Sequence, residues 1–442
     1  MSAHRPTYFV GTAVVASLTG LFIIPAMAQG QESAGGIEEI VVFAQKKASG
    51  EALQSVPVSI TATDAKMIQT EQLQDLTQLG RTAPNALLAP SAFPAYPSFS
   101  LRGVGSGTTT RSIDPAVNIF QDGMVIGYPA GALSETFDLE SVEILNGPQG
   151  VLFGRNSSGG AVVMRTPRPT SDFHESAEVE LGNANTLVFK GAVGGPLIGD
   201  QVLGKIAIMS NNNTGLWQNT TAGTFLPSPE NPSGTSPQHA TGGVGQLHEI
   251  IVKPTLVFNP SDSVHFTLFG QYQNENNGGG ILYAVPDPPG EPVSNLTKLF
   301  GFIPSTQPYT VNLSTPGYNN IQAEHVIGEL VLDNVVGGQL TTIAAFRHVI
   351  YDSTQNSDGT PFNLVIFPDN REKNHQYSLE SRYNRDITSQ ISLLAGVYFY
   401  SSNSTVLEKR AINGILAGST FANTLDEIAN WTDDSFPYCR EK

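Results

Sequence analysis

The cluster Gly103-Val104-Gly105-Ser106-Gly107 has the glycine density of a phosphate-cradling loop, in which backbone N–H groups surround an anion. It lacks the Gly-Lys-Ser/Thr ending of such loops, and Arg111 does not stand where that lysine must, so the segment reads as a chain turn. Ser157-Ser158 lies among glycines without the Gly-x-Ser-x-Gly frame that exposes a nucleophile. The carboxylate pairs Glu38-Glu39 and Asp433-Asp434 are sequence neighbours whose side chains diverge, which does not suit an acid–base relay. Eight histidines are scattered with none paired at metal-ligand spacing, and the single cysteine, Cys439, supports neither a disulfide framework nor a thiolate site. These residues give no reason to expect an enzyme, a metal or a cofactor. A formal charge of −16 without clustered Lys and Arg argues against a nucleic-acid partner.

A mechanical chemistry is open to Ile37-Glu38-Glu39-Ile40-Val41-Val42-Phe43-Ala44, because an extended β-branched stretch can join an exposed sheet edge and carry load across its hydrogen bonds. Polar Gln45–Gly50 follows as a linker, and Gln29–Gly36 precedes it with no apolar periodicity. Further upstream, basic His4 and Arg5, the apolar run Tyr8–Ile24 and the small residues Ala26 and Ala28 make up the three parts of a secretory signal. Residues 1–28 are therefore expected to be cleaved, and 29–50 to form the mature N-terminus. No other segment approaches a membrane-spanning helix, so any crossing of a membrane requires a closed barrel that satisfies every backbone hydrogen bond.

Residues 51–168 read as a compact mixed α+β domain of a usual size. Val58 and Ile60 alternate with polar neighbours as in a half-buried strand. Asp64 and Thr70 offer N-caps for two short helices, the second carrying Leu73, Leu76 and Leu79 before Pro84 stops it. Short strands follow, with Asp122-Gly123 favouring a tight hairpin turn. Strands Ser141–Leu145 and Ala161–Arg165 flank the glycine-rich loop NGPQGVLFGRNSSGG.

Residues 169–442 change character, giving nine alternating segments of the kind that build a transmembrane barrel. Val264, Phe266, Leu268 and Tyr272 alternate with Ser263, His265, Thr267 and Gln271; Ile391, Leu393, Ala395, Val397 and Phe399 line one face of another segment. The rest lie near Ala177–Leu181, Leu187–Val193, Lys205–Met209, Ile250–Phe258, Val326–Leu332, Leu340–Tyr351 and Tyr377–Tyr383. After the second segment, short turns (GPLIGDQ, NPSDS, VVGGQ, NRDITSQ) alternate with long polar connections, Thr214–Gly245, Asn274–Asn320 and Asp352–Lys373. Outer-membrane barrels segregate their loops in this way, and soluble sandwiches have no reason to.

Several motifs resemble the TonB-dependent outer-membrane receptors. EEIVVFAQKK looks like the TonB box, placing TonB contacts at Glu39, Ile40, Val41, Val42, Phe43 and Ala44, with Phe43 standing where the family commonly has threonine. SVPVSITA, TAPNA, FSLRGVG, VNIFQDGMVIG and DLESVEILNGPQGVLFGRNSSGGAVVMRTPRP resemble the plug in family order. They put plug-motif residues at Arg102, Gly103, Asp122, Gly123, Gly147, Pro148, Gln149, Gly150, Gly154, Arg155, Gly159 and Gly160. Asn146 departs from the arginine usual before GPQG, so a plug-to-wall ion pair is expected to be missing. HQYSLESRYN followed by SLLAGVYFY is similar to a barrel segment of the family.

The resemblance implies a mainly β protein, an α+β plug domain inside a transmembrane antiparallel β-barrel, with about nine of 22 strands in this chain. At about 30 residues a strand, the full set would need roughly 660 residues after the plug, so a truncated barrel is expected. The ending SFPYCREK also lacks the family's terminal aromatic residue. Implied partners are TonB of the inner membrane, the lipid of the Gram-negative outer membrane and an extracellular small molecule such as a ferric siderophore. The implied activity is TonB-driven import of that solute; the alternative is a non-transporting remnant or a plug-only binding and signalling module. Plug-apex residues Phe93, Tyr96, Ser106, Thr109 and Arg111 are the expected ligand contacts, because polar and aromatic loop residues between strands would face outward.

Overall fold

A computed structural model of the chain describes residues 41–43, 46–47, 50–89, 97–105, 115–128, 130–131, 137–154, 156–221, 243–286, 302–315, 317–362, 365–388 and 390–412. The expected signal segment, Glu39, Ile40, Ala44, Arg155 and the five ligand-contact candidates lie outside the described residues.

The chain opens with two short paired strands, β1 (Val41–Val42) and β2 (Glu51–Ala52). A five-stranded sheet follows, with order β3-β9-β10-β7-β8. Its strands are β3 (Ile60–Asp64), β7 (Val117–Gln121), β8 (Met124–Val125), β9 (Ser141–Asn146) and β10 (Gly160–Arg165). Only the β10·β7 pair is parallel. Helix α1 (Ala65–Thr70) starts where Asp64 accepts the Met67 N–H at 2.7 Å, the cap expected from the sequence. Helix α2 (Leu76–Thr82) is capped by Asp75, which accepts the Gln78 N–H at 2.9 Å, rather than by Thr70. Thr70 instead ends α1, where its hydroxyl donates to the Lys66 carbonyl. Strands β4 (Ala86–Ala89), β5 (Ser98–Leu101) and β6 (Val104–Gly105) form a small separate sheet. Leu76, Leu79 and Leu101 are fully buried between these layers with Val117, Ile144 and Val162.

Asp122 (φ 47°) and Gly123 (φ 86°) both occupy the left-handed region, which makes the β7–β8 connection the expected primed turn. The glycine-rich loop between β9 and β10 contains one unforeseen helical turn, α3 (Gly150–Phe153). At the start of β10, Gly160 has φ 147°, and a Cβ there would lie 2.1 Å from the Leu145 carbonyl oxygen, so only glycine fits.

Nine long antiparallel strands form the wall: β11 (His174–Gly182), β12 (Thr186–Ile198), β13 (Val202–Asn213), β16 (Leu247–Ser261), β17 (Val264–Asn277), β19 (Tyr318–Val335), β20 (Gly338–Asn356), β21 (Val365–Thr388) and β22 (Ile391–Leu407). Each contains one of the nine expected segments. Between them, β14 (Trp217–Asn219), β15 (Gly243–Val244) and β18 (Thr310–Val311) make a three-stranded sheet within the long connections, and β23 (Ala411–Ile412) pairs with β21. The third long connection is shorter than expected, because β20 runs to Asn356 and β21 begins at Val365, turning most of Asp352–Lys373 into strand.

The wall has its polarity inverted relative to a soluble sheet. Residues facing the plug are buried and largely polar or charged, among them Lys253, Thr267, Gln271, Gln273, His325, Arg347, Glu372 and Gln376. Alternate residues face away and stay exposed although apolar: Ile250, Leu256, Phe258, Phe266, Val326, Leu379, Val397 and Phe399. Water would penalise so large an apolar face, whereas lipid selects it.

The apolar band also runs obliquely to the strand pairing. A cross-strand row starting at exposed Leu187 passes through Asn212, His248, Asn276, Asn320 and Asp352 to Arg371. On β21 the outward apolar surface lies instead at Tyr377 and Leu379, 6 and 8 residues beyond Arg371. A band of constant height can drift this way only if the strands tilt across it, as barrel closure requires. Replacing Phe266 with arginine should cost membrane insertion about 2–4 kcal/mol if the residue lies near mid-depth. The same change at plug-facing Thr267 should spare lipid association; bilayer partitioning of the two variants checks the assignment.

Candidate functional site

Of the residues before the plug, Val42, Phe43 and Lys46 lie in a seam between plug and wall. Val42 is buried, and β1 pairs with β2 so that Val41 faces Ala52 and Val42 faces Glu51. The Phe43 N–H donates to the buried Glu143 carboxylate of β9 at 2.9 Å, and the Arg165 guanidinium of β10 stacks 3.9 Å from the Phe43 ring centroid. A turn follows in which the Lys46 N–H donates to the Phe43 carbonyl at 2.9 Å and Lys46 adopts φ 55°, a conformation that costs any residue bearing a Cβ.

That turn sends Lys46 between plug and wall. Its ammonium donates to Glu380 of β21 at 2.8 Å and sits over the plug rings of Phe153 and Phe120, 5.0 and 5.9 Å from their centroids. Asn384 of the wall donates to the Lys46 carbonyl at 3.4 Å, and Arg382 pairs with the other Glu380 oxygen at 3.0 Å. Burial pulls the Lys46 ammonium below the ordinary lysine range, and the Glu380 carboxylate only partly opposes this. The ion pair therefore positions the segment while repaying only part of its own desolvation.

Phe43 and Lys46 line a cavity together with Asp122, Arg168, Glu329 and Ile343. Asp122 accepts both the N–H (2.8 Å) and the hydroxyl (2.7 Å) of Thr166; burial raises its carboxyl above the usual aspartate range, against the pull of those two bonds. Arg168 crosses to Glu329 of β19 at 2.6 Å. Gly123 meets the wall directly, since a Cβ there would lie 2.5 Å from Ile343 Cδ1.

Elsewhere wall side chains grip plug backbone. Arg347 donates to the carbonyls of Tyr128 (2.8 Å) and Ala130 (2.7 Å), and Lys253 donates to that of Phe137. Lys205 pairs with Asp138 at 2.7 Å and donates to the Pro167 carbonyl at 2.6 Å. Gln376 accepts the Gly127 N–H at 3.0 Å, and Tyr128 bonds to Glu372. Apolar contact is local, as where Phe269, Ile327, Ile343 and Ala345 of the wall join the plug core.

Of the proposed TonB contacts, the structure describes Val41, Val42 and Phe43, and brings them together at this seam. Arg102 (φ 52°) and Gly103 (φ 77°) form the exposed β5–β6 turn, away from the seam. Gly147, Pro148, Gln149, Gly150, Gly154, Gly159 and Gly160 shape the β9–β10 loop, which is closed by Gly147 N–H to Gly159 carbonyl (3.0 Å) and Gln149 N–H to Ser157 carbonyl (2.9 Å). Sequence reasoning missed Lys46, Glu143, Arg165 and Glu380. Glu143 carried a usable signal, a carboxylate set between the apolar core residues Val142 and Ile144.

Residues 52–161 match the family model for the TonB-dependent receptor plug domain. The pesticin receptor of Yersinia pestis is 28% identical over 196 residues, covering 44% of this chain and 28% of that protein. The ferric yersiniabactin uptake receptor FyuA of Yersinia pestis superposes with a TM-score of 0.64 at 17% identity, over 80% of this chain and 50% of that one. The Pseudomonas aeruginosa pyoverdine receptor FpvA, bound to pyoverdine, gives 0.62 at 16% identity, over 85% and 50%. The chain thus spans about half the length of these solved receptors and aligns with less than a third of the curated relative. Such proteins are receptors and transporters rather than enzymes, and this chain carries a TonB-dependent receptor plug domain at residues 52–161, seated against a wall whose fold is similar to theirs.

Proposed function

We propose that the protein serves as a TonB-dependent transport receptor of the Gram-negative outer membrane, exported by a cleaved signal at residues 1–28 and capturing a ferric siderophore from outside. TonB grips Glu39–Ala44 by strand addition, and its pull on that strap rearranges the plug so that the solute passes. One observation carries this reading: the strap is bonded at once to the plug, through Phe43 with Glu143 and Arg165, and to the wall, through Lys46 with Glu380. A segment placed there can transmit force to the joint between them. The ligands named for two of the solved receptors, ferric yersiniabactin and pyoverdine, support a siderophore as cargo.

Replacing Val41 with proline removes an N–H donor and fixes the backbone where a partner strand must pair. Cells carrying V41P in the receptor should bind radio-iron siderophore at the surface as before but fail to accumulate it; normal energy-dependent uptake would reject the TonB assignment.

Docking of the strap can be read from a spin label at K47C in a C439S background. Glu380→Gln strands the Lys46 ammonium beside Arg382 and should weaken docking by about 3 kcal/mol, so the mobile spectral fraction becomes dominant. The pH response follows from Lys46. Between its burial-lowered value and the ordinary 10.5, the docked strap holds fewer protons than the released one. Docking therefore tightens as pH rises through that window and loosens as pH falls; the mobile fraction should shrink on titration upward in the parent and not in K46M.

A further inference from the structure

Two histidines far apart in the chain are brought face to face by the wall. The register of β20 on β21 sets His348 directly opposite His375, and their rings stack with centroids 4.3 Å apart and planes 7° from parallel. On the other side of His348, the register of β19 on β20 places Glu324, whose carboxylate lies 3.1 Å from His348 Nδ1. All three face away from the plug; Glu324 and His375 are exposed and His348 is half-buried. Their row marks the edge of the apolar band. Towards the short turns the outward residues are Val326, Phe346, Tyr377 and Leu379, and towards the long connections they are largely polar, with Gln322, Lys373, Asp352 and Arg371 around Ile350. A hydrated ion can reach this level of the wall.

The hydrogen bond to Glu324 fixes where the lone pairs are. A carboxylate oxygen only accepts, so His348 Nδ1 carries the hydrogen, and in the neutral ring Nε2 keeps a lone pair. A carboxylate behind the far nitrogen is also what orients metal-ligating histidines and raises their basicity. His375 has no hydrogen bond or ion pair among the described residues, so nothing tethers its ring. As they stand, parallel rings do not aim two lone pairs at one point, and no three ligating side chains converge among the described residues. Turning the untethered His375 ring closes that gap. Opposed cross-strand Cβ atoms are about 4.5–5.5 Å apart, and each imidazole nitrogen has to come within about 2.0–2.1 Å of a shared ion.

The other described histidines lack such a pairing. His265 is engaged by Asn259 (3.0 Å) and Asp333 (3.3 Å), and His248 by Asn212 (3.0 Å). His325 is buried, and His174 stands opposite Gly194.

We propose that His348 and His375 chelate a divalent transition ion of the class that imidazole favours, Cu²⁺, Ni²⁺ or Zn²⁺, on the outer face of the wall, with Glu324 as the residue that positions His348. Water completes the coordination. Hard ions such as Ca²⁺ and Mg²⁺ require oxygen ligands and are not held there. The ion bridges β20 to β21 directly behind the residues that grip the plug: Arg347, next to His348, donates to the Tyr128 and Ala130 carbonyls, and Gln376, next to His375, donates to that of Val125. It thus clamps from outside the pair of strands that holds the plug from inside. The proposal stands on the register of the wall and does not need the transport reading.

The test uses the full chain without an added histidine tag, in detergent micelles and in a His4→Ala, Cys439→Ser background that removes an N-terminal and a thiolate chelator. Cu²⁺ below equivalence is followed by electron paramagnetic resonance and Zn²⁺ by calorimetry. The expected result is saturation at one ion per chain, with superhyperfine splitting of the Cu²⁺ signal by two imidazole nitrogens. His375→Ala should weaken Zn²⁺ binding by about tenfold or more, and Glu324→Gln by about 10- to 100-fold, whereas His248→Ala should leave it unchanged. Absence of saturable binding, or a Cu²⁺ signal without nitrogen splitting, overturns the proposal in the parent chain, independently of how any variant folds. Unchanged Zn²⁺ affinity in His375→Ala overturns the pair as the site, and displacement of Zn²⁺ by equimolar Ca²⁺ overturns imidazole as the donor.

Discussion

The inverted polarity of the wall governs the rest of the molecule. A lipid-facing strand must be apolar on one side and satisfy all its backbone bonds laterally, which leaves the other side free to be polar. Here that other side carries Lys253, His325, Arg347, Glu372 and Gln376, buried only because the plug covers them. Buried polar groups without partners are costly, so the plug must supply complementary atoms. It does so mainly with backbone: the carbonyls of Tyr128, Ala130, Phe137 and Pro167 accept from wall cations. The plug is thereby seated by hydrogen bonds in which wall cations donate to plug carbonyls and wall acceptors take up the Gly127 N–H, Tyr128 and Arg168, with apolar contact in patches such as the one around Ile343. Such a joint specifies position strongly and can exchange its partners for water when it opens.

The period-two alternation was legible because lipid and plug impose it together, and every segment found by alternation became a wall strand. Asp122-Gly123 and the Asp64 cap were legible for a different reason, since local backbone chemistry alone decides them. Reading failed where two local solutions competed. Thr70 and Asp75 are both capping types, and Asp75 wins because it stands directly before Leu76 while the Thr70 hydroxyl closes the end of α1. It failed again at Asp352–Lys373, where strand continues past the apolar band and the outward residues turn polar, as at Asp352 and Arg371, so alternation no longer marks it.

The seam was the least legible part. The Lys46–Glu380 pair joins residues 334 apart in sequence, and neither sits in a motif that announces the other. Nothing in the sequence showed that a cation on Glu380 would come from the strap. The departure at Phe43 likewise gains a physical meaning only in three dimensions, where its ring is the surface on which Arg165 lies.

These details bear on how a strap can hold and still let go. Among the described residues its anchors are a short pairing with β2, one backbone bond to Glu143, the Arg165 stack on Phe43, and Lys46, whose ammonium, held below its ordinary proton affinity by burial, meets Glu380 and the rings of Phe120 and Phe153 while its carbonyl takes a bond from Asn384. The positive φ at Lys46 adds local strain that release relieves. The plug, by contrast, has a shared apolar core and many wall donors. A pull on the N-terminus therefore meets the weaker set first. As Lys46 leaves, Glu380 gives up its strap ammonium and keeps Arg382 among the described residues, so a buried wall carboxylate becomes less well compensated in the same step. On the proposed function, strap release is thus more than removal of a tether: it raises the electrostatic cost of keeping that side of the plug dry, and water entering the seam lowers the resistance to the movement that follows.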